Sequence, residues 1–115
     1  MTEFVQVSTS VDSEVDAKRI ANLLLQRRLS SCVQVAGPIK SHYWWNRMIQ
    51  NATEWLCIIK ARKSDYRKIE AAIKKVHPYE TPEILALPIL NGSKDYLRWI
   101  LKETTRNPRK RASKQ

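Results

Sequence analysis

The chain has 115 residues, 43% of them hydrophobic and 28% charged, so its length and composition predict one globular domain and exclude a disordered chain. The chain has only two glycines, which argues against a glycine-rich phosphate loop. It has no apolar run of about 18 residues, which argues against a membrane-spanning segment. The net charge is +10, but half of it lies in the last ten residues, so it says little about the folded part.

A first strand and a first helix are predicted at the N-terminal end. Residues 3–8 are rich in β-forming side chains, which is typical of a short strand. Asp12 or Ser13 can accept hydrogen bonds from the free N–H groups that open a helix. The apolar residues that follow recur at helical spacing and predict one buried face: Ala17, Ile20, Ala21 and Leu24.

Two further strands are predicted to form a hairpin. Residues 31–36 predict a strand that bends at Gly37-Pro38 and continues through Trp45 as one long, kinked strand. Residues 46–52 are polar enough to form the turn. Residues 54–61 predict the third strand, and their nearly unbroken apolar run indicates burial on both faces, which points to a partner subunit.

The remaining sequence predicts a second helix, a fourth strand and a third helix. Ser64 is expected to cap the second helix, and Pro78 is expected to stop it. Residues 83–89 predict the fourth strand, in which Pro88 marks an edge strand or a strand end. Ser93 can cap the third helix, which ends near residue 105. The inner faces of these two helices are predicted to be Tyr66, Ile69, Ile73 and Val76, and then Tyr96, Trp99 and Ile100.

This order of elements, β-α-β-β-α-β-α, predicts an α+β fold of the ferredoxin-like type. In this split βαβ sandwich, two helices cover one face of a four-stranded antiparallel sheet. The domain is expected to span residues 1–105. Residues 106–115 contain five basic residues, no acidic residue and no apolar periodicity, so they are predicted to form a disordered basic tail.

Six sequence strings distributed along the chain resemble one protein family. The most specific is His-Pro-Tyr-Glu-Thr-Pro-Glu-Ile at residues 77–84. The others are found at residues 31–35, 43–45, 54–56, 59–60 and 96–100. Together they resemble the CutA family of small divalent-cation tolerance proteins, from about Phe4 to Thr105.

The resemblance implies a ferredoxin-like protomer in a tight homotrimer, in which the edges of extended strands pair between subunits. It also implies a link to copper and other divalent ions, without an established catalytic reaction. The family's proposed metal site uses a cysteine near the end of the first strand and the histidine of the His-Pro-Tyr motif. Here these positions are Ser8 and His77, and a second histidine that some members have is Val76. A strong copper site therefore loses two of three candidate ligands.

His77, Glu80 and Glu83 are the predicted metal ligands, because imidazole nitrogen binds copper or zinc and carboxylates can supply oxygen. One histidine and two carboxylates predict weak binding of Cu²⁺ or another divalent cation, within one chain or between subunits. Such an ion is not expected to be required for folding. The structural alternative is that His77 hydrogen-bonds a backbone group and ends the second helix.

The cysteines and a run of aromatic residues also have two interpretations each. Cys32 and Cys57 are soft donors for Cu(I), but a free cysteine in an apolar strand is typical of a small buried hydrophobe. They form neither a disulfide framework nor a zinc ribbon, so we expect a reducing, cytoplasmic setting. Residues 43–45 could stack nucleic-acid bases, although aromatic side chains on both faces of a hairpin favour a subunit interface.

Two other functions stay open at this point. One is a trimeric signalling module similar to the PII-type regulators, binding an anion or nucleotide in clefts between subunits. Tyr79, Glu80 and the basic end of the third strand (Lys60, Arg62 and Lys63) would line such clefts. The other is sequence-independent contact with nucleic acid through the basic tail. The usual enzyme motifs are missing, so no catalytic activity is expected, and no membrane partner is expected either.

Overall fold

The computed structural model describes residues 3–106. In this range the strands and α-helices follow the predicted order: β1 (Phe4–Val11), α1 (Glu14–Gln26), β2 (Cys32–Trp45), β3 (Met48–Arg62), α2 (Tyr66–Val76), β4 (Ile84–Pro88) and α3 (Lys94–Glu103). The strands form one antiparallel sheet in the order β2-β3-β1-β4. The predicted α+β fold of the ferredoxin-like type is therefore confirmed. No helix among residues 3–106 combines the length and the apolar character needed to cross a membrane.

The hydrophobic core lies between one face of the sheet and the helices α1 and α2. Val7 of β1 and Ile59 of β3 pair across the strands and are fully buried on this face. The two helices cover it with apolar side chains of which nothing is exposed: Ile20, Leu24, Ile69 and Ile73. Burial of one such side chain contributes roughly 1.5–3 kcal/mol. The other face of the sheet is called the open face below.

The ends of α1 satisfy its backbone groups in two different ways. Ser13 caps the start as predicted, since its Oγ accepts a hydrogen bond from the N–H of Asp16 at 3.1 Å. At the other end, Arg28 has a φ of 56° and the N–H of Leu29 donates to the carbonyl of Leu24 at 3.0 Å. Glycine usually occupies such a left-handed position. Arg28 also pairs with Glu103 at 2.9 Å, which joins the ends of α1 and α3.

Ser64 does not cap α2, so that prediction is wrong. Lys63–Asp65 form a 3-10 turn, and α2 begins at Tyr66 without a side-chain cap. The buried carboxylate of Asp65 is occupied elsewhere, because it accepts hydrogen bonds from both Nη atoms of Arg106 at 2.8 and 3.1 Å. Arg106, the first residue of the predicted tail, thus packs on the domain. The predicted disorder of residues 107–115 lies outside the described residues.

The hairpin between β2 and β3 is longer than predicted. The bend at Gly37-Pro38 is confirmed, since the pairing register shifts between Ala36 and Ile39 within one long strand. The predicted turn over residues 46–52 is wrong, because pairing resumes at Met48. Asn46 and Arg47 make the turn alone, with φ values of 51° and 65°. Two residues with positive φ form the tight hairpin turn whose twist matches that of the strands. The polar character of residues 46–52 therefore predicted a turn that is longer than the one observed.

Replacing Arg47 by glycine should stabilise the protein. A side chain in the left-handed region costs about 1–2 kcal/mol, and glycine removes this cost but gains entropy in the unfolded chain. We expect a net gain of about 0.5–1 kcal/mol in the free energy of unfolding, measured by urea denaturation. Arg47→Ala keeps the Cβ atom and should gain nothing. An equal gain in both variants would show that loss of the arginine side chain, rather than relief of the backbone, is responsible.

β3 is completely buried on one face only in the single chain, so the predicted burial of its other face by a partner subunit stays a prediction. On the core face, Cys57, Ile59 and Ala61 are completely buried. On the open face, Leu56 and Ile58 are only half-buried. The physical reason is that α1 and α2 cover just one face of the sheet, and α3 reaches only one end of the other face.

α3 is fixed at that end by hydrogen bonds to β3. Ser93 caps its start as predicted, accepting from the N–H of Tyr96 at 3.3 Å. The guanidinium of Arg62 donates to the carbonyl of Leu101 and to Oγ1 of Thr104, both at 2.7 Å. Arg62 therefore adds a cationic donor at the end of α3, where the hydroxyl of Thr104 also donates to the carbonyl of Ile100 at 2.7 Å. Most of the open face, including β4, is left uncovered in the single chain.

Candidate functional site

A pocket of about 670 Å³ lies between the hairpin of β2 and β3 and the segment that joins α2 to β4. α2 ends at Val76 as predicted, because Pro78 cannot continue it, and the chain then turns back toward the sheet. The lining combines hydroxyl, aromatic, imidazole and acidic groups and includes Ser10, His42, Trp44, Glu54, Tyr79 and Glu83.

The ring of His77 makes hydrogen bonds through both of its nitrogens. Nε2 lies 2.9 Å from the carbonyl of Ser10 and 3.1 Å from Oγ1 of Thr9. Nδ1 accepts a hydrogen bond from the backbone N–H of Tyr79 at 3.1 Å. A carbonyl can only accept and a backbone N–H can only donate, so Nε2 carries the proton and the ring is neutral. The lone pair of Nδ1 is therefore already in use.

The environment of His77 favours the neutral ring. Burial lowers the pKa of His77 below its ordinary value, although the carbonyl of Ser10 and the carboxylates of Asp16 and Glu54 oppose this shift. A second proton would have to sit on Nδ1, where it would face the N–H of Tyr79. The geometry thus explains why protonation is unfavourable in the folded chain.

Stability should fall as the pH drops below the ordinary histidine pKa of about 6.5. At pH values between about 6.5 and the lowered pKa of folded His77, the unfolded chain binds the proton more readily than the folded chain does. The free energy of unfolding therefore decreases as the pH falls through this range. His77→Gln should flatten this dependence, since an amide does not titrate. We would measure the free energy of unfolding from pH 5 to 8. His42→Gln is the matched control and should keep the dependence; a flattened curve in the control instead would assign it to His42.

Glu54 and Tyr79 form the second polar pair of the pocket. The hydroxyl of Tyr79 donates to a carboxylate oxygen of Glu54 at 2.6 Å. Burial first, and then this hydrogen bond and the negative charge of Glu54, raise the pKa of Tyr79 well above its ordinary value. The tyrosine therefore stays protonated and remains a donor. Glu54 is only 6% exposed, and no lysine or arginine of residues 3–106 lies within salt-bridge distance of its carboxylate.

The structure does not bring the three predicted metal ligands together in one chain. Glu83 lines the pocket, His77 lies beside it with both nitrogens engaged, and Glu80 is exposed and outside the lining. Residues 3–106 contain no group of three or more histidine, cysteine or acidic side chains close enough to hold an ion. A divalent cation in the pocket would therefore need ligands from water or from a second subunit.

The other sequence candidates are dispersed. Cys57 is buried, and burial raises the pKa of its thiol to about 11, so it behaves as the expected small hydrophobe. The cleft proposed for an anion is not formed within one chain. Tyr79 lines the pocket, but Lys63 lines a separate groove and Arg62 is bound to α3.

Sequence reasoning missed Thr9, Ser10 and Glu54. Thr9 and Ser10 lie beyond the predicted end of the first strand, yet both are buried in β1 and contact His77. Glu54 is a charged residue at the start of the predicted third strand, directly before the apolar residues 55–59. A carboxylate that is buried in a strand needs a partner. An acidic residue directly beside an apolar run was therefore the sequence signal that could have indicated Glu54 as a candidate site residue.

Comparison with known proteins agrees with this fold and with the family that the sequence resembles. The family described as CutA1 divalent ion tolerance protein matches residues 5–103. The divalent-cation tolerance protein CutA of Archaeoglobus fulgidus is 42% identical over 85 residues, covering 74% of this chain and 82% of that protein.

A plant relative and a plant structure extend the comparison to most of the chain. The chloroplastic protein CutA of Arabidopsis thaliana is 38% identical over 103 residues, covering 90% of this chain, which spans 56% of that longer relative. The crystal structure of CutA1 from Oryza sativa superposes with a TM-score of 0.88 at 33% identity, covering 92% of this chain and 97% of that one. The chain therefore belongs to the CutA1 family of divalent ion tolerance proteins.

Proposed function

We propose that this protein contributes to the tolerance of divalent cations by binding them weakly and directly, Cu²⁺ among them, in the pocket between the hairpin and residues 79–83. Its working form is a homotrimer, and it has no catalytic reaction. Family membership supports the link to divalent cations, because relatives are named for that tolerance. The cytoplasmic location stays a prediction, since the names of relatives include a chloroplastic and a periplasmic protein.

The buried carboxylate of Glu54 carries the proposal of a cation site. A carboxylate that is 6% exposed is costly unless it is paired or binds a cation, and here a single tyrosine hydroxyl is its hydrogen-bond partner among the described side chains. Glu83 and His42 line the same pocket and are donors that suit divalent ions, but the three side chains do not lie close enough together to hold one ion by themselves. The remaining positions around the ion are filled by water or by a neighbouring subunit, which accounts for weak binding.

His77 acts in this proposal as a positioning residue. It holds the backbone of Tyr79 through Nδ1, and Tyr79 in turn holds the carboxylate of Glu54. The sequence-based proposal differs, because there His77 is itself a ligand together with Glu80 and Glu83. Direct ligation would require His77 to give up the bond to Tyr79 or to Ser10.

A calorimetric titration with Cu²⁺ in a weakly coordinating buffer tests both versions. We expect binding in the micromolar range for the wild type, at least tenfold weaker binding for Glu54→Gln, and unchanged binding for Glu80→Gln. His77→Gln should keep the binding heat with a modest loss of affinity. Unfolding curves of each variant confirm that it folds. Loss of binding in His77→Gln with normal binding in Glu54→Gln would favour the sequence-based ligand set and overturn the role of Glu54.

The homotrimer is supported by the large apolar side chains that the single chain leaves exposed. On the hairpin, Trp44 is 71% and Ile49 is 66% exposed, and on the open face Leu85 and Leu87 of β4 are 56% and 61% exposed. A monomer rarely shows such a patch to water. β2 and β4 are also the outer strands of the sheet, so their unpaired backbone edges can pair between subunits as the resemblance implies.

A further inference from the structure

A second concave site lies on the helical side of the molecule, away from the pocket and from the open face. It is a groove with a cavity of about 370 Å³ between the end of α1 and the outer side of α2. Its aliphatic lining consists of Leu29, Ala71 and Ala72. Four cationic side chains complete the lining: Arg27, Lys68, Lys75 and Arg106. These seven residues are called the basic groove.

The positive charge of the basic groove is largely unneutralised. Arg27, Lys68 and Lys75 are exposed, and none of them has a salt-bridge partner within residues 3–106. No acidic side chain belongs to the lining. The neighbouring cations Arg28 and Lys74 differ in this respect, because they pair with Glu103 and Glu70 at 2.9 and 3.2 Å. The acids of this side therefore pair with Arg28 and Lys74 outside the groove and with Arg106 at its rim. Arg27, Lys68 and Lys75 are left without an acidic partner among residues 3–106.

Arg106 fixes the place from which the C-terminal residues continue. Its guanidinium holds both carboxylate oxygens of Asp65 and also donates to the carbonyl of Arg28 at 2.9 Å. Arg106, the last residue that the structure describes, thus lies at the rim of the basic groove. The nine residues that follow contain four further cations and no acid: Arg109, Lys110, Arg111 and Lys114. Within the groove, Arg27, Lys68 and Lys75 are three cations without an acidic partner among residues 3–106.

We propose that the basic groove binds the phosphodiester backbone of nucleic acid independently of its sequence. Lys68 and Lys75 lie on one side of α2 two helical turns apart, which is about 10 Å along the axis. Phosphates follow one another about every 3.4 Å along the axis of a strand, so this distance corresponds to about three nucleotides. The groove has no aromatic side chain for stacking, which leaves electrostatic contact with the backbone as the source of affinity.

The shape of the site argues against a membrane surface as the partner. The apolar residues Leu29 and Ala72 are buried at the bottom of the concavity and cannot insert into lipid. The site also stays accessible in the proposed trimer, because subunit contacts there would use the hairpin and the open face. Nucleic-acid binding and cation tolerance are thus independent proposals on separate surfaces.

The test is fluorescence anisotropy of a labelled 20-base-pair DNA duplex with the full chain at several salt concentrations. The groove variant is Lys68→Glu with Lys75→Glu. The control is Lys94→Glu with Arg98→Glu, two exposed residues of α3 that change the net charge by the same amount. We expect the groove variant to bind at least tenfold more weakly than the control. Its slope of log affinity against log salt should be shallower by about 1.8, the value for two lost phosphate contacts on a duplex.

Three results would overturn the proposal. The first is equal weakening in the groove variant and the control, which would assign the binding to overall charge. The second is no binding of the oligonucleotide by the wild type at low salt. The third is displacement of the oligonucleotide by polyglutamate or by vesicles containing phosphatidylserine at equal charge concentration, which would show that the groove accepts any polyanion. Unfolding curves of both variants ensure that each is folded when it is compared.

Discussion

Replacing Leu85 and Leu87 by glutamate should abolish the proposed trimer. Both side chains lie on the open face, opposite Ser8 and Gln6 of β1, and both are more than half exposed in the single chain. Two carboxylates in an apolar subunit contact would be buried without partners, at a cost that exceeds what such a contact can supply. The wild type should run at about three times the chain mass of 13.4 kDa, and the variant at the mass of one chain.

Size-exclusion chromatography with light scattering measures this difference directly. The matched control is Val15→Glu with Leu25→Glu, which also replaces two exposed apolar residues but on α1, at the helical side. The control should keep the wild-type mass. A wild type of monomer mass, or a β4 variant that stays trimeric, would contradict the assignment of this face to subunit contacts.

Replacing Arg106 by alanine should destabilise the fold by about 3 kcal/mol. The Asp65 side chain is only 4% exposed and would lose its cationic partner. An unpaired carboxylate would then remain buried, which is strongly destabilising. Removing one partner of a buried ion pair usually costs about 3–5 kcal/mol, and we expect the low end because the Arg106 side chain is itself 34% exposed. The change is measured as the free energy of unfolding in urea.

A surface ion pair provides the control for Arg106. Arg98 and Asp95 lie 3.8 Å apart and are 75% and 98% exposed, so Arg98→Ala should cost less than about 0.5 kcal/mol. Combining Arg106→Ala with Asp65→Ala should recover part of the loss, because the unpaired carboxylate is then absent. A cost for Arg106→Ala no larger than that for Arg98→Ala would mean that Asp65 does not depend on this partner.

The elements that could be predicted from the sequence are those that local rules determine. The helical spacing of Ile69 and Ile73 predicted the buried face of α2, and the proline at position 88 correctly indicated the end of an edge strand. Ser13 and Ser93 cap their helices as expected. Ser64 is not the cap, because Lys63–Asp65 form a 3-10 turn and Asp65 takes the cap position. Asp65 in turn pairs with Arg106, 41 positions away, and such a distant contact leaves no local pattern.

The candidate site was less accessible to sequence reasoning. The histidine motif lies beside the pocket, and the structure shows the hydrogen bond from His77 to a backbone group at the end of α2 that the structural alternative describes. The role of His77 as a metal ligand stays a prediction. The partners that decide its chemistry come from β1 and β3, because the sheet brings Ser10 and Glu54 beside the segment after α2. Which donor faces which acceptor depends on strand register, and a single sequence does not reveal register across distant strands.

The outer part of the hairpin has a thermodynamic consequence for the whole molecule. β1 pairs with β3 only from Trp55 onward, so residues 48–54 pair with β2 alone among the described strands. A two-stranded ribbon is marginally stable in water by itself. In the proposed trimer, neighbouring subunits would stabilise this ribbon by packing against it. Association of the subunits and folding of the ribbon would then be coupled. The melting temperature should consequently rise with protein concentration, and dilution alone should loosen this ribbon before the core between the sheet and its two helices.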